Sequence, residues 1–234
     1  MSSTVEFKSL LGISPSSWMM HPSERFALIG LISVLAPRRA LELGCAKGGL
    51  TFWLSRLVDE VVTVDLDPEI HSVCRGLQNV TALCMTTKEA TEQFLSQGNR
   101  FDLTIIDADH STEGVRNDLG NALEFSKVIL LHDTFYPPCR AGVEEALEGK
   151  DIYFDLELVA GGMQPDGLWG GLGIVIPELP AQSSLSTPRC STYPELENEW
   201  RVAESRRKRS GWKSLSSGVL SRMKTFPSSR KASG

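Results

Sequence analysis

Apolar and polar positions alternate between two periods along this chain. Between residues 24 and 35, Phe26, Ile29, Leu31 and Val34 recur near helical spacing, with Ser23 as an N-cap and Pro37 as a stop. RALELG (39–44) then reads as a short strand running into a glycine-rich turn. GLTFWLSRLV (49–58) reads as a helix with Leu50, Leu54 and Leu57 on one face. The β-branched run VVTVDLD (61–67) is a second strand, and PEIHSVCRGL a helix with proline in its first turn. VTALCM is a third strand, KEATEQFLSQG a helix ended by Gly98, and DLTIID a fourth strand. A helix over residues 113–125, a fifth strand VILLHD and a helix AGVEEALEG follow. The rhythm breaks after that, because DIYFDLELVA and GLGIVIP are two strands in succession, joined only by the Gly-rich GGMQPDG.

Strand and helix alternating at this spacing predict an α/β fold, a Rossmann-like, doubly wound and mostly parallel sheet covered on both faces. The final pair predicts an antiparallel hairpin strand at one edge. This domain is expected over residues 21–180, preceded by an extension (1–20) in which Trp18 and two methionines form a candidate lid. A Ser/Pro/Arg-rich tail (181–234) is expected to be partly disordered.

Composition bounds the function. Hydrophobic residues at 41% and charged residues at 23% of 234 describe a soluble globular chain. The longest apolar run, FALIGLISVLA, is too short to span a bilayer and lacks the flanks of a signal peptide. Five cysteines without CxxC spacing read as reduced, mostly buried residues, which favours the cytoplasm. The net charge of −5 hides an asymmetry. Residues 1–177 carry 13 Lys+Arg against 24 Asp+Glu, whereas residues 178–234 carry 11 against 5. The RRKR run (206–209) with Trp200, Trp212 and Phe226 reads as a solvated tail; contact with an anionic membrane surface is the sharper alternative, and nucleic acid is disfavoured.

Candidate chemistry sits at the strand ends. In LELGCAKGGLTFWL the glycines Gly44 and Gly48 follow Glu42 with GxxxG spacing, not the GxGxxG of a pyrophosphate-binding turn. A carboxylate at Glu42 suits a cationic ligand or the fixing of the loop. Asp65 ends the second strand, where an acid can accept both ribose hydroxyls of an adenosine group, and Asp67 reads as a capping partner. FDLTIIDADHSTEGVRNDL and KVILLHDTFYP both stop at acid plus imidazole: Asp107, Asp109 and His110 in one, His132 and Asp133 in the other. Asp109 also reads as a cap for the helix entering at Ser111, and His21 and His71, without companions, as structural or solvated. Trp169 reads as hairpin packing or as the wall of an acceptor pocket.

Taken together, ALELGCAKGGLTFWL, VVTVDLDPE, FDLTIIDADHSTEGVRNDL and VILLHDT resemble the class I S-adenosylmethionine-dependent methyltransferases. Within that class the Asp-x-Asp-His strand end and the later His-Asp-Thr look like bacterial O-methyltransferases acting on sugars or secondary metabolites, of the cephalosporin-hydroxylase-type group. The resemblance covers residues 20–177. It implies that Glu42, Gly44, Cys45 and Gly48 surround the methionine part of the cofactor, that Asp65 holds its ribose, and that Met85, Thr86 and Thr87 lie beside the adenine. Relatives often carry an acid there, where this chain has threonines. Asp107 would face both the sulfonium and the acceptor.

Two routes to an activated acceptor follow. His110 or, slightly behind it, His132 takes the hydroxyl proton as general base. Alternatively Asp107 and Asp133 hold Mg2+ or another divalent cation, with His132 as a third group and without the asparagine often found in that pattern, since Thr134 follows Asp133. The rival readings are a nicotinamide-dependent oxidoreductase on the same kind of sheet and a noncatalytic module that keeps the cofactor fold. Neither the acceptor, a small molecule or glycan, nor the oligomeric state is legible.

Overall fold

The computed structural model describes residues 18–164 and 167–181. All lie within the unit Met1–Cys190; residues 1–17, most of the expected extension, and 182–234, nearly all of the expected tail, fall outside the described part. In chain order the elements are α1 (Pro22–Leu35), β1 (Arg39–Leu43), α2 (Gly49–Leu57), β2 (Glu60–Asp65), α3 (Ile70–Val73), β3 (Val80–Cys84), α4 (Thr87–Ser96), β4 (Phe101–Ile106), α5 (Thr112–Phe125), β5 (Ser126–His132), α6 (Pro137–Leu147), β6 (Tyr153–Val159), β7 (Gly162–Gln164), β8 (Gly167–Trp169) and β9 (Leu172–Ile176).

Seven strands form one sheet in the order β3-β2-β1-β4-β5-β9-β6. The first five pair in parallel, and β9 runs antiparallel between β5 and β6. The expected terminal hairpin is thus present, with its second strand inserted inside its first. The order reverses between β1 and β4, which opens a crevice beyond their carboxyl ends.

Strand residues of alternating parity face opposite layers. Leu41 and Leu43 of β1 and Ile129 and Leu131 of β5 pack with α4, α5 and α6, through Phe94, Leu119 and Val143. Ala40, Ile105 and Leu130 pack on the other face with Leu28 and Ile32 of α1 and Leu50 and Leu54 of α2. At the base of the first layer Phe94, Phe101 and Phe125 meet edge to face with centroids 5.3–6.2 Å apart, each pair contributing about 1 kcal/mol beyond its buried area.

Several local expectations change. The cap of α1 is His21, whose ring accepts from the Ser23 amide while Glu24 returns a bond to the His21 amide; Ser23 lies inside the helix because Pro22 opens it. Its buried face is Leu28 and Ile32, while Phe26 and Val34 point outward at 58% and 86% exposure. The helix expected over PEIHSVCRGL is a single turn, α3, which the left-handed Gly76 helps to end. Trp18 and Met20 are buried with α1 and α2, and only Met19 of the candidate lid residues described is exposed. Cys84 is exposed, whereas Cys45, Cys74 and Cys139 are buried; all four are free thiols. Among the described residues no helix is long and apolar enough to cross a membrane.

Candidate active site

The turn from β1 into α2 adopts left-handed backbone at Gly44 (φ +98°), Ala46 (φ +46°) and Gly48 (φ +75°). Gly44 has no substitute: a Cβ there would run into the carbonyl of Asp107, because the loop and the end of β4 touch backbone to backbone. The Asp107 amide donates to Leu43 O at 2.9 Å and the Gly44 amide to Val64 O at 2.9 Å. At the end of β2, Asp65 Oδ2 accepts from the amides of Cys45 (2.9 Å) and Ala46 (2.7 Å), and Oδ1 from the Asp67 amide (2.9 Å). Asp65 therefore builds the loop, and three of the roughly four lone-pair positions of a carboxylate are filled.

Glu42 lies beneath this loop and is fully buried. Its Oε2 accepts from the hydroxyls of Thr51 and Thr63, both at 2.6 Å, while Oε1 has no partner. Burial, opposed only by the two hydroxyls, pushes its carboxyl up to about 8. Cys45 contributes its amide to Asp65; its thiol, beside Cys74 and buried, is held well above the usual range. Thr86, at the end of β3, spends its hydroxyl on the cap of α4, accepting from the Glu89 amide (3.0 Å) and donating to the Glu89 carboxylate (2.8 Å).

Beyond β4 and β5 the acids and imidazoles converge. His110 Nε2 lies 2.9 Å from Asp133 Oδ2 and 3.7 Å from Asp107 Oδ1, so only Asp133 is at hydrogen-bond distance. His132 is almost enclosed, with Nδ1 3.0 Å from Asp107 Oδ1 and 3.3 Å from Asp133 Oδ2, and Nε2 3.2 Å from Glu24 Oε2. Asp133 takes a left-handed backbone (φ +55°), which aspartate tolerates better than most residues, and its Oδ1 accepts from the Gly170 amide at 2.7 Å. Burial works against charge on His132, but Asp107, Asp133 and Glu24 outweigh it and hold the ring protonated well above its ordinary value. Asp107 and Asp133 together push His110 up to about 9. Burial raises both aspartates, and the two imidazoles outweigh it, so both stay below their ordinary value. One nitrogen of His110 and one oxygen each of Asp107 and Asp133 lie within 4.8 Å of one another, a spacing that admits a cation.

The candidates read from the sequence lie in two neighbouring groups that meet where Gly44 touches Asp107: Glu42, Gly44, Cys45, Gly48 and Asp65 about the ends of β1 and β2, and Asp107, His110, His132 and Asp133 beyond β4 and β5, with Thr86 apart at the end of β3. Asp109 accepts from the Ser111 amide (2.8 Å) just ahead of the Ser111 cap, and His71 is exposed on α3. Sequence reasoning missed Glu24, which the capping pattern disguised as an ordinary helix-start acid. It also missed Tyr136, which stacks on Trp169 with centroids 3.7 Å apart beside the His110 ring. Leu66, next to Asp65 and 68% exposed, signals itself only as an apolar residue between two acids.

Residues 41–134 match a family model described as a methyltransferase domain. No curated protein matches the sequence. Solved structures do. An O-methyltransferase from Bacillus cereus in complex with S-adenosylhomocysteine shares 18% identity at a TM-score of 0.56, covering 74% of this chain and 88% of that one. TomG from Streptomyces achromogenes, an O-methyltransferase involved in tomaymycin synthesis and bound to S-adenosylmethionine, shares 16% at 0.55 over 67% and 80%. The N-methyltransferase NodS from Bradyrhizobium japonicum, with S-adenosylhomocysteine, shares 16% at 0.54 over 72% and 96%. Residues 41–134 thus match a methyltransferase-domain model, and the sheet that carries them has the Rossmann-like fold of these methyltransferase structures.

Proposed function

We propose that the chain transfers the methyl group of S-adenosylmethionine to a hydroxyl oxygen of a sugar, glycan precursor or other small metabolite. The observation that carries this reading is the meeting of two chemistries at one point. The Glu42–Gly48 loop touches the backbone of Asp107 through Gly44, and Asp107 opens the acid and imidazole cluster.

The residues present fit the cofactor. Glu42 Oε1 is a buried carboxyl oxygen without a partner beneath the loop, and an ammonium group brought against it would favour the ionised carboxylate there. Asp65 keeps one lone-pair position for a ribose hydroxyl, and Leu66 offers an apolar surface to a base. Thr86 has its hydroxyl committed to a helix cap, so backbone at 85–87 would face the adenine edge. When bound, S-adenosylmethionine supplies a methyl group made electrophilic by its sulfonium. The task left to the protein is to hold the acceptor oxygen in line and strip its proton.

For that task the reading assigns Asp107, Asp133 and His110 to a divalent cation. Two carboxylates suit Mg2+ or Mn2+, and an imidazole nitrogen in the set favours Mn2+. A cation held there supplies Lewis acidity to the acceptor hydroxyl. His132 is unsuited to act as base, because both its nitrogens face carboxylates and no lone pair is left for a substrate. His110, half-exposed, is the imidazole able to turn toward an acceptor. Free cysteines support the cytoplasm as the working compartment.

The test is transfer of labelled methyl groups from S-adenosylmethionine into a metabolite extract, with and without EDTA. The expected result is labelled small molecules, loss of labelling in EDTA, and a fall of at least ~100-fold in Asp107→Ala. Retained labelling in EDTA would leave His110 as the base instead of a cation. Full-rate transfer by Asp107→Ala would sink the site assignment.

A further inference from the structure

Glu24 reaches the cluster from α1, far from the strand ends that supply the other acids. Its side chain is 3% exposed and its carboxylate joins three segments. Oε1 accepts from the Gly171 amide at 2.6 Å, Oε2 accepts from the His21 amide at 2.7 Å, and Oε2 faces His132 Nε2 at 3.2 Å. A capping box needs only the His21 bond. The other two partners lie 147 and 108 residues away and have no bearing on helix initiation. Without the carboxylate, a buried amide and the Nε2 of a buried imidazole would be left unpaired, each a costly loss.

The ring of His132 shows what the contact achieves. Nε2 is held by Glu24, so Nδ1 is aimed between Asp107 (3.0 Å) and Asp133 (3.3 Å). A ring fixed at both nitrogens cannot turn about its bond to Cβ. Its Nδ1–H therefore keeps two carboxylates together that would otherwise repel. The next amide in the chain strengthens the tie: Gly170 donates to Asp133 Oδ1 and Gly171 to Glu24 Oε1, so the turn after Trp169 is registered on both acids.

We propose that Glu24 is a positioning residue of the transfer site: it anchors His132 at Nε2 and thereby sets the spacing of Asp107 and Asp133 in front of His110. The consequence for cation binding rests on the proposed function; the anchoring of His132 does not. An acid outside the methyltransferase-domain match, on the helix before the sheet, thus governs the geometry of acids inside it.

The experiment compares full-length wild type, Glu24→Gln, His132→Gln and His21→Ala. Imidazole N–H resonances are read by NMR on 15N-labelled protein, with His132 assigned by its loss in His132→Gln. Mn2+ binding is read by the paramagnetic resonance of free Mn2+, and S-adenosylhomocysteine binding by calorimetry. Wild type is expected to show a slowly exchanging His132 Nε2–H that moves upfield or exchanges away in Glu24→Gln. Mn2+ binding is expected to weaken roughly 10-fold or more in both Glu24→Gln and His132→Gln, the range seen when outer-shell partners of metal ligands are removed. S-adenosylhomocysteine affinity should stay within about twofold, because its loop is built elsewhere. His21→Ala, which removes the cap side chain, should lower the melting temperature and leave the other readouts unchanged. An unchanged His132 signal in Glu24→Gln would overturn the proposal, as would the same spectral and Mn2+ losses in His21→Ala. Should Glu24→Gln not fold, undiminished Mn2+ binding by His132→Gln would overturn it equally. If wild type binds no Mn2+, the cation reading fails while the resonance still decides the role of Glu24.

Discussion

Glu42 is a carboxyl whose chemistry departs far from its ordinary behaviour without an ion pair to explain it. A carboxyl titrating at about 8 in the fold and about 4.5 when unfolded is protonated in the folded state over that whole window. Unfolding between pH 4.5 and 8 therefore releases a proton, and stability falls as pH rises, by up to about 1.4 kcal/mol per pH unit, then levels off above 8. His110 has its own slope, since its raised pKa gives stability that is complete below about 6.5 and is lost as pH rises through about 9. Comparing wild type with Glu42→Gln cancels that contribution. In urea unfolding from pH 5 to 8, the stability difference between the two proteins should change steadily in favour of the variant; a pH-independent difference would show that Glu42 is charged in the fold. At this scale the sequence was informative where a strand end announced itself. Asp65, Asp107 and Asp133 each follow a β-branched or aliphatic run, so their place beyond the sheet was legible. Glu24 was not, because its decisive partners, Gly171 and His132, come close only after the sheet is assembled.

Among elements, the β1–α2 turn concentrates the demands on the backbone. Gly44→Ala forces a Cβ against the Asp107 carbonyl, and the structure can relieve the overlap only by parting β1 from β4. We expect a loss of 1–3 kcal/mol or more and of S-adenosylhomocysteine binding, measured by denaturant unfolding and calorimetry. Ala46→Gly is the informative contrast. Its left-handed backbone costs alanine about 1 kcal/mol, so glycine there should leave stability equal or higher, with binding retained. Equal damage by both substitutions would contradict this account of the turn. Long elements with a clear period, such as α5 and β5, were legible to within one or two residues of their ends. The small β7–β8 hairpin was not: three residues a side, rich in glycine, give no period to read. Nor was the insertion of β9 between β5 and β6, since a hairpin in sequence does not say which of its strands meets the sheet.

For the molecule as a whole, the order β3-β2-β1-β4-β5-β9-β6 makes the site a property of the sheet and not of any one motif. The reversal between β1 and β4 places the Glu42–Gly48 loop and Asp107 in contact, and α1 brings Glu24 from near the start of the described chain to His132. The parallel sheet and its crevice were readable from alternation alone; the closing of the crevice by α1 and the β8–β9 turn was not, because those contacts are between segments nearly 150 residues apart. The central claim is that this crevice takes S-adenosylmethionine. Titration calorimetry of the full chain with S-adenosylhomocysteine, and separately with NAD, tests it most directly. The expected result is saturable one-to-one binding of S-adenosylhomocysteine, weakened at least ~10-fold in Asp65→Ala, and no heat from NAD. Binding of NAD, or no binding of S-adenosylhomocysteine by folded protein, would contradict it.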